Sequence, residues 1–93
     1  MNIRNQYKEL NGKSNATGSN INYYRTKWGL SAQQLSDKLI LLGLDLHRQA
    51  IFKIESGKRT VTDYELCIIA EVLGVSTDTL LKQFLDNVKK ENK

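Results

Sequence analysis

Four glycines punctuate this sequence: Gly29, Gly43, Gly57 and Gly74, each following apolar residues spaced three and four apart. Glycine enters the left-handed backbone region without steric penalty, so in this setting it marks the point where an α-helix stops. Proline is absent, and nothing else in the chain breaks a helical run. A chain punctuated in this way predicts several short helices, and its strand signals are weak.

The segments between the glycines support that prediction. Ile21, Tyr24, Arg25 and Trp28 share one helical face, with Tyr24 and Trp28 read as core, and Gly29 ends that first helix. Ser31-Ala32-Gln33-Gln34 is a capping box, in which Ser31 and Gln34 satisfy each other's free amides. It starts a second helix that turns Leu35, Leu39 and Leu42 inward before Gly43. A third helix over residues 48–56 buries Ile51 and Ile54, keeps a polar outer face and ends at Gly57. Thr62-Asp63-Tyr64-Glu65 is a second capping box, placing acids in the first turn of a fourth helix built on Leu66, Ile69, Ala70 and Leu73. Ser76 opens a fifth, with Leu80, Leu81, Phe84, Leu85 and Val88 as its stripe. Residues 59–62 read as a short extended connector.

Outside these segments, residues 11–20 hold no large apolar side chain and are rich in Gly, Asn and Ser, the composition of a flexible connector. Upstream, Ile3, Tyr7 and Leu10 have helical spacing but too little apolar surface to hold a helix alone. The expected organisation is a flexible N-terminal arm over residues 1–18, a domain over 19–88 and a charged tail over 89–93.

A length of 93 residues leaves room for one small core, which disfavours doubly wound sheets and large enzyme clefts. The sequence shows no apolar run of the roughly 18 residues a membrane span needs, and no apolar signal core, so a cytoplasmic location without membrane attachment is expected. A single cysteine, Cys67, allows neither an internal disulfide nor a multi-cysteine zinc site; it reads as a small buried hydrophobe. The one histidine, His47, is twenty residues away, and no phosphate-binding glycine loop or paired-histidine site is present. No enzyme activity, cofactor or metal is expected.

Charge is unevenly placed. Residues 21–61 carry seven Lys and Arg against three Asp and Glu, whereas residues 62–93 carry four against six. One part of the domain is therefore basic, which favours a polyanionic partner and salt-sensitive binding.

Four stretches in order carry a family resemblance: Gly29-Leu30-Ser31, Gln34-Leu35-Ser36-Asp37-Lys38-Leu39, Ile51-Phe52-Lys53-Ile54-Glu55-Ser56-Gly57-Lys58-Arg59 and Ile69-Ala70-Glu71-Val72-Leu73-Gly74-Val75-Ser76. Over residues 20 to about 82 the chain resembles a lambda-repressor-like helix-turn-helix domain, the Cro and cI type also called the XRE family. The resemblance implies an all-α, five-helix fold of bacterial or phage regulators, with the third helix in the major groove of double-stranded DNA. It places Arg48, Gln49, Phe52 and Lys53 on the base-reading surface. Arg and Lys suit guanine, Gln suits adenine, and Phe52 can meet a thymine methyl or instead pack on the preceding loop or a dimer partner. Lys58 and Arg59 fall in the implied backbone-contacting loop, and Ser31, Gln33 and Gln34 at the start of the second helix, with Gln34 also open to a capping role alone. Arg25 and Glu55 resemble the family's internal ion pair.

The chain departs from that pattern in two places. Ala32 stands where many members have Gln, which puts that phosphate contact in doubt or passes it to Gln33. About five extra residues near Ile40-Leu41-Leu42-Gly43-Leu44 elongate the connection between the second and third helices, read most simply as one more turn of the second. His47 then stands at the third helix's capping position, where Asp45 can cap instead; His47 is open either to a phosphate or base contact or to a bystander role. Operators of such domains are usually two-fold, which implies a homodimer, at least on DNA. The competing reading is a protein-interaction module, an antitoxin or anti-repressor partner, which an apolar outer face on the third helix would favour.

Overall fold

The computed structural model describes residues 12–91, which form five helices and, among the described residues, no strand. In chain order they are α1 (Gly18–Lys27), α2 (Ala32–Leu41), α3 (Arg48–Glu55), α4 (Asp63–Leu73) and α5 (Thr77–Glu91). The all-α expectation holds. The segment with Ile3, Tyr7 and Leu10 lies outside the described residues.

Each helix starts and stops for a local chemical reason. Both capping boxes are formed: Ser31 Oγ accepts from the Gln34 amide at 3.0 Å while Gln34 Oε1 accepts from the Ser31 amide at 2.8 Å, and Thr62 and Glu65 repeat the exchange. At the carboxyl end of α2, the Leu44 amide donates to the Leu39 carbonyl and the Gly43 amide to the Ile40 carbonyl. This is the Schellman arrangement, in which the residue at Gly43 has φ +88° and two stranded carbonyls find donors. The same pair of bonds recurs after α1, α3 and α4.

The helices enclose a core of Ile21, Leu35, Leu39, Ile51, Ile54, Ile69, Leu73 and Leu80, all essentially without solvent contact. α3 packs against α1 and α2, and α4 and α5 complete the bundle. Each such side chain contributes about 1.5–3 kcal/mol on burial.

Among the described residues, three expected core positions are exposed. Leu42 is 56% exposed, because α2 ends at Leu41 and Gly43 turns the chain before Leu42 can point inward. The extra residues are thus shared between the end of α2 and a non-helical run over 42–47, in which Leu44 and Leu46 are buried and Asp45 is exposed. Ser36 Oγ donates to the Leu46 carbonyl at 2.7 Å, fixing that run against α2. Trp28 is 54% exposed; its indole N–H donates to the Leu73 carbonyl at 2.8 Å. Cys67 is exposed on the outer side of α4, away from the buried Ile69.

Residues 13–17 form several contacts that their composition does not announce, among them a bond from the Ser14 amide to the Gly57 carbonyl at 2.7 Å. At the other end of the chain α5 remains helical to Glu91, through Lys89 and Lys90. The N-terminal segment brings Gly18 so close to α3 that a Cβ there would lie 2.1 Å from the Ile54 carbonyl oxygen. Gly18→Ala should therefore push α1 from α3 and cost about 1–3 kcal/mol in thermal or urea unfolding. Gly43→Ala, with no atom within 4 Å of its Cβ, should lose only the left-handed backbone term of about 1–2 kcal/mol. A Gly18→Ala protein as stable as the native chain would show that this approach does not hold α1 against α3.

Candidate nucleic-acid interface

α3 is only eight residues long, so packing must determine its orientation. Ile51 and Ile54 enter the core, which leaves Arg48, Gln49, Phe52, Lys53 and Ser56 exposed along the opposite side. The four residues expected to read bases therefore share one surface. It is polar and cationic except for Phe52, which is 53% exposed, and neither Arg48 nor Lys53 has a carboxylate within 4.0 Å among the described residues.

The amino end of α3 has no side-chain cap. His47, at the capping position, has extended backbone (φ −82°, ψ 165°) and directs Nε2 to Asp45 Oδ1 at 3.1 Å, with both side chains mostly in solvent. Asp45 thus meets His47 and does not cap, and the first amides of α3 stay open, a setting that favours an anion.

Glu55, at the other end, is held from two sides of α1. Arg25 Nε donates to Glu55 Oε2 at 2.6 Å and Nη2 to Oε1 at 2.9 Å, while Asn22 Nδ2 donates to Oε1 at 3.0 Å. Arg25 Nη1 reaches the Leu30 carbonyl at 2.9 Å, so one guanidinium joins α1, the turn before α2 and α3. Its pKa is raised, chiefly by the hydrogen bond to Glu55, and it keeps its charge at any ordinary pH. The expected ion pair is present, and its two-point geometry fixes the rotation of α3 more than it adds stability.

At the start of α2, Ser31 and Gln34 are engaged with each other through the capping box, which leaves the Gln34 amide nitrogen outward. Gln33 Nε2 donates to Asp37 Oδ1 at 2.9 Å on an exposed face. Ala32 is buried, so this position faces the core and presents nothing to solvent.

The loop after α3 divides its two cations. Lys58 is exposed and has no carboxylate partner among the described residues. Arg59 is committed inward: Nη1 and Nη2 donate to Glu65 Oε1 and Oε2, both at 3.1 Å, and Nη1 also reaches the Thr60 carbonyl at 2.9 Å. Glu65 is buried and belongs to the α4 capping box as well, so one carboxylate joins the loop to the start of α4. This second internal pair was not expected from sequence; the six-residue spacing between Arg59 and Glu65 crosses a loop and carries no helical signal. No cluster of three or more His, Cys, Asp or Glu able to hold a metal occurs among the described residues. No helix among them is long and apolar enough to cross a membrane.

A family model described as helix-turn-helix matches residues 21–80, most of the chain and all of the elements just described from Ile21 to Leu80. No curated protein matches, and no solved structure does.

The Arg59 hydrogen bonds, followed by those from Thr62, hold the Glu65 carboxyl below the usual carboxylate range. The stabilisation it provides is fully present above the ordinary carboxylate pKa near 4.3 and is lost as pH falls through the lowered folded value. Glu65→Gln should lower the melting temperature at neutral pH and flatten the dependence of melting temperature on pH below about 4.5. Parallel melting curves for both proteins across the acid range would count against this role.

Proposed function

The chain belongs to the helix-turn-helix family of DNA-binding domains, and from that membership we propose that it recognises a specific double-stranded operator as a transcriptional repressor, with α3 in the major groove. The observation that carries the reading is the outer face of α3. Arg48, Gln49, Phe52 and Lys53 stand exposed on a helix whose opposite side is locked into the core, and the two cations are not neutralised by any described carboxylate. Such a face offers donors for guanine and adenine edges, an apolar ring for a thymine methyl, and cations for the groove potential.

Around it, phosphate contacts fall to Lys58 in the loop, to the open amides at the starts of α2 and α3, and to the outward groups of Gln33, Gln34 and His47. Arg59 positions this loop through Glu65. A two-fold operator read by a homodimer is the arrangement this kind of domain uses, with half-sites about one helical turn apart. No chemistry is assigned to the protein itself: it acts by occupancy.

A second reading has its own observation. Ile40, Leu41 and Leu42 are all exposed, Leu41 to 85%, and together they form an apolar edge at the end of α2. An edge of this kind suits a protein partner, which is the contact an antitoxin or anti-repressor would use.

Selection of duplexes from a random pool, followed by affinity measured between about 50 and 200 mM salt, tests the first reading. A two-fold consensus is expected. Gln49→Ala should lose about 1–3 kcal/mol of preference at one base position, whereas Lys58→Ala should weaken all duplexes alike and reduce the salt slope by about one. Absence of any enriched sequence would reject operator recognition and leave the apolar edge as the functional surface.

A further inference from the structure

The family match begins at Ile21, yet the residues just before it are built into the loop that follows α3. The Ser14 amide donates to the Gly57 carbonyl at 2.7 Å. Asn15 Nδ2 donates to the Ile54 carbonyl at 2.9 Å and to the Arg59 carbonyl at 2.8 Å, so one side-chain amide spans both ends of the turn. Its Oδ1 accepts from the Thr17 and Gly18 amides at 3.1 and 2.7 Å, which fixes the same residue to the start of α1.

Next to this clamp the stem of Lys13 crosses Gly57, where an added Cβ would lie 2.6 Å from Lys13 Cγ. Gly57 has φ +79°, so glycine here serves both the left-handed turn and the crossing chain. Lys13 is exposed, and its ammonium has no carboxylate within 4.0 Å among the described residues. Glu55 lines the same small cavity as Lys13, but both of its oxygens are taken by Arg25 and Asn22. Lys58, the residue after Gly57, is likewise without a carboxylate. The structure thus brings two lysines without a carboxylate partner, far apart in sequence, to one turn, where the stem of Lys13 crosses the residue before Lys58.

We propose that Lys13 binds a backbone phosphate of the DNA, making the segment before the family domain part of the interface and widening the phosphate-contacting loop. This rests on the reading that the loop after α3 meets DNA. An ammonium on a flexible stem is a point charge suited to phosphate rather than to a base edge. Two cations carried by one turn favour a polyanion, since each phosphate neutralised releases condensed counterions. The Ser14 amide bond and the Asn15 clamp fix the chain next to the lysine, so less backbone has to be ordered on contact.

The test uses the full chain and its selected operator, with affinity followed against salt for the native protein, Lys13→Ala, Lys13→Arg and Lys58→Ala. Lys13→Ala should keep the native melting temperature, weaken matched and mismatched duplexes by the same several-fold factor, and reduce the slope of log affinity against log salt by about 0.9. Lys13→Arg should restore the slope. A Lys13→Ala slope equal to that of the native protein, with a reduced slope for Lys58→Ala, would overturn the proposal while leaving the loop's contact with DNA intact. Native slopes for both variants would overturn the proposal together with the reading of the loop on which it rests.

Discussion

An eight-residue helix has no stability of its own in water, and α3 has eight residues. Everything that gives its outer face a defined direction comes from its surroundings. Ile51 and Ile54 anchor the inner side, Arg25 and Asn22 grip Glu55, and Asn15 meets the carbonyl of Ile54 at the carboxyl end. The amino end is entered from Leu46, whose carbonyl is held by Ser36 of α2. Constraints at both ends and on the inner face leave the exposed side chains free of structural work, so Arg48, Gln49, Phe52 and Lys53 are available to a ligand.

The cations are sorted by the same logic. Two arginines hold the interior joints, while Arg48 stays exposed: Arg25 and Arg59 each present two nitrogens to one carboxylate, a geometry that lysine cannot match. Both guanidinium pKa values are raised, in each case first by the hydrogen bond to the carboxylate. Lysines stay at the surface. Lys53 and Lys58 are solvated and unneutralised, while Lys27 lies 5.6–5.9 Å from the ring centroids of Tyr23, Tyr24 and Trp28. The basic surplus of the middle of the sequence is therefore smaller in effect than a residue count suggests, and it is concentrated on α3 and the turn after it.

What the sequence made legible was local. Capping boxes, glycine stops and helical spacing each involve residues within a few positions of one another, and all five helices could be placed from them. The family resemblance supplied the Arg25–Glu55 pair, which crosses thirty positions and leaves no periodic trace. The pattern misleads where a helix stops or turns a position outward, and again where a distant partner decides the outcome. Leu42 continues the apolar spacing of α2, but the Gly43 turn stops the helix first; the alternation Leu44-Asp45-Leu46 was the available sign that the following run is extended with two leucines inward. Cys67 lies among apolar neighbours in sequence yet faces outward on α4. The resemblance places Arg59 in a backbone-contacting loop, and its pairing with Glu65, six positions on across that loop, leaves no helical signal. Asn15 sat in a stretch whose composition suggests a connector, and its partners lie 39 and 44 positions away.

Those two separations also bear on the order in which the molecule assembles. Glu55 reaches back 30 positions to Arg25, whereas the Asn15 bonds, with the Ser14–Gly57 bond beside them, close longer loops on α3 and its following turn. Chain entropy opposes closure more as the loop lengthens, and the neighbouring helices can dock through nearer contacts before that term is met. A nascent chain, which emerges with Asn15 first, can pair Asn15 Oδ1 with the Thr17 and Gly18 amides at once but must carry Nδ2 without its partners until Ile54 and Arg59 have followed it out and the turn between them has formed.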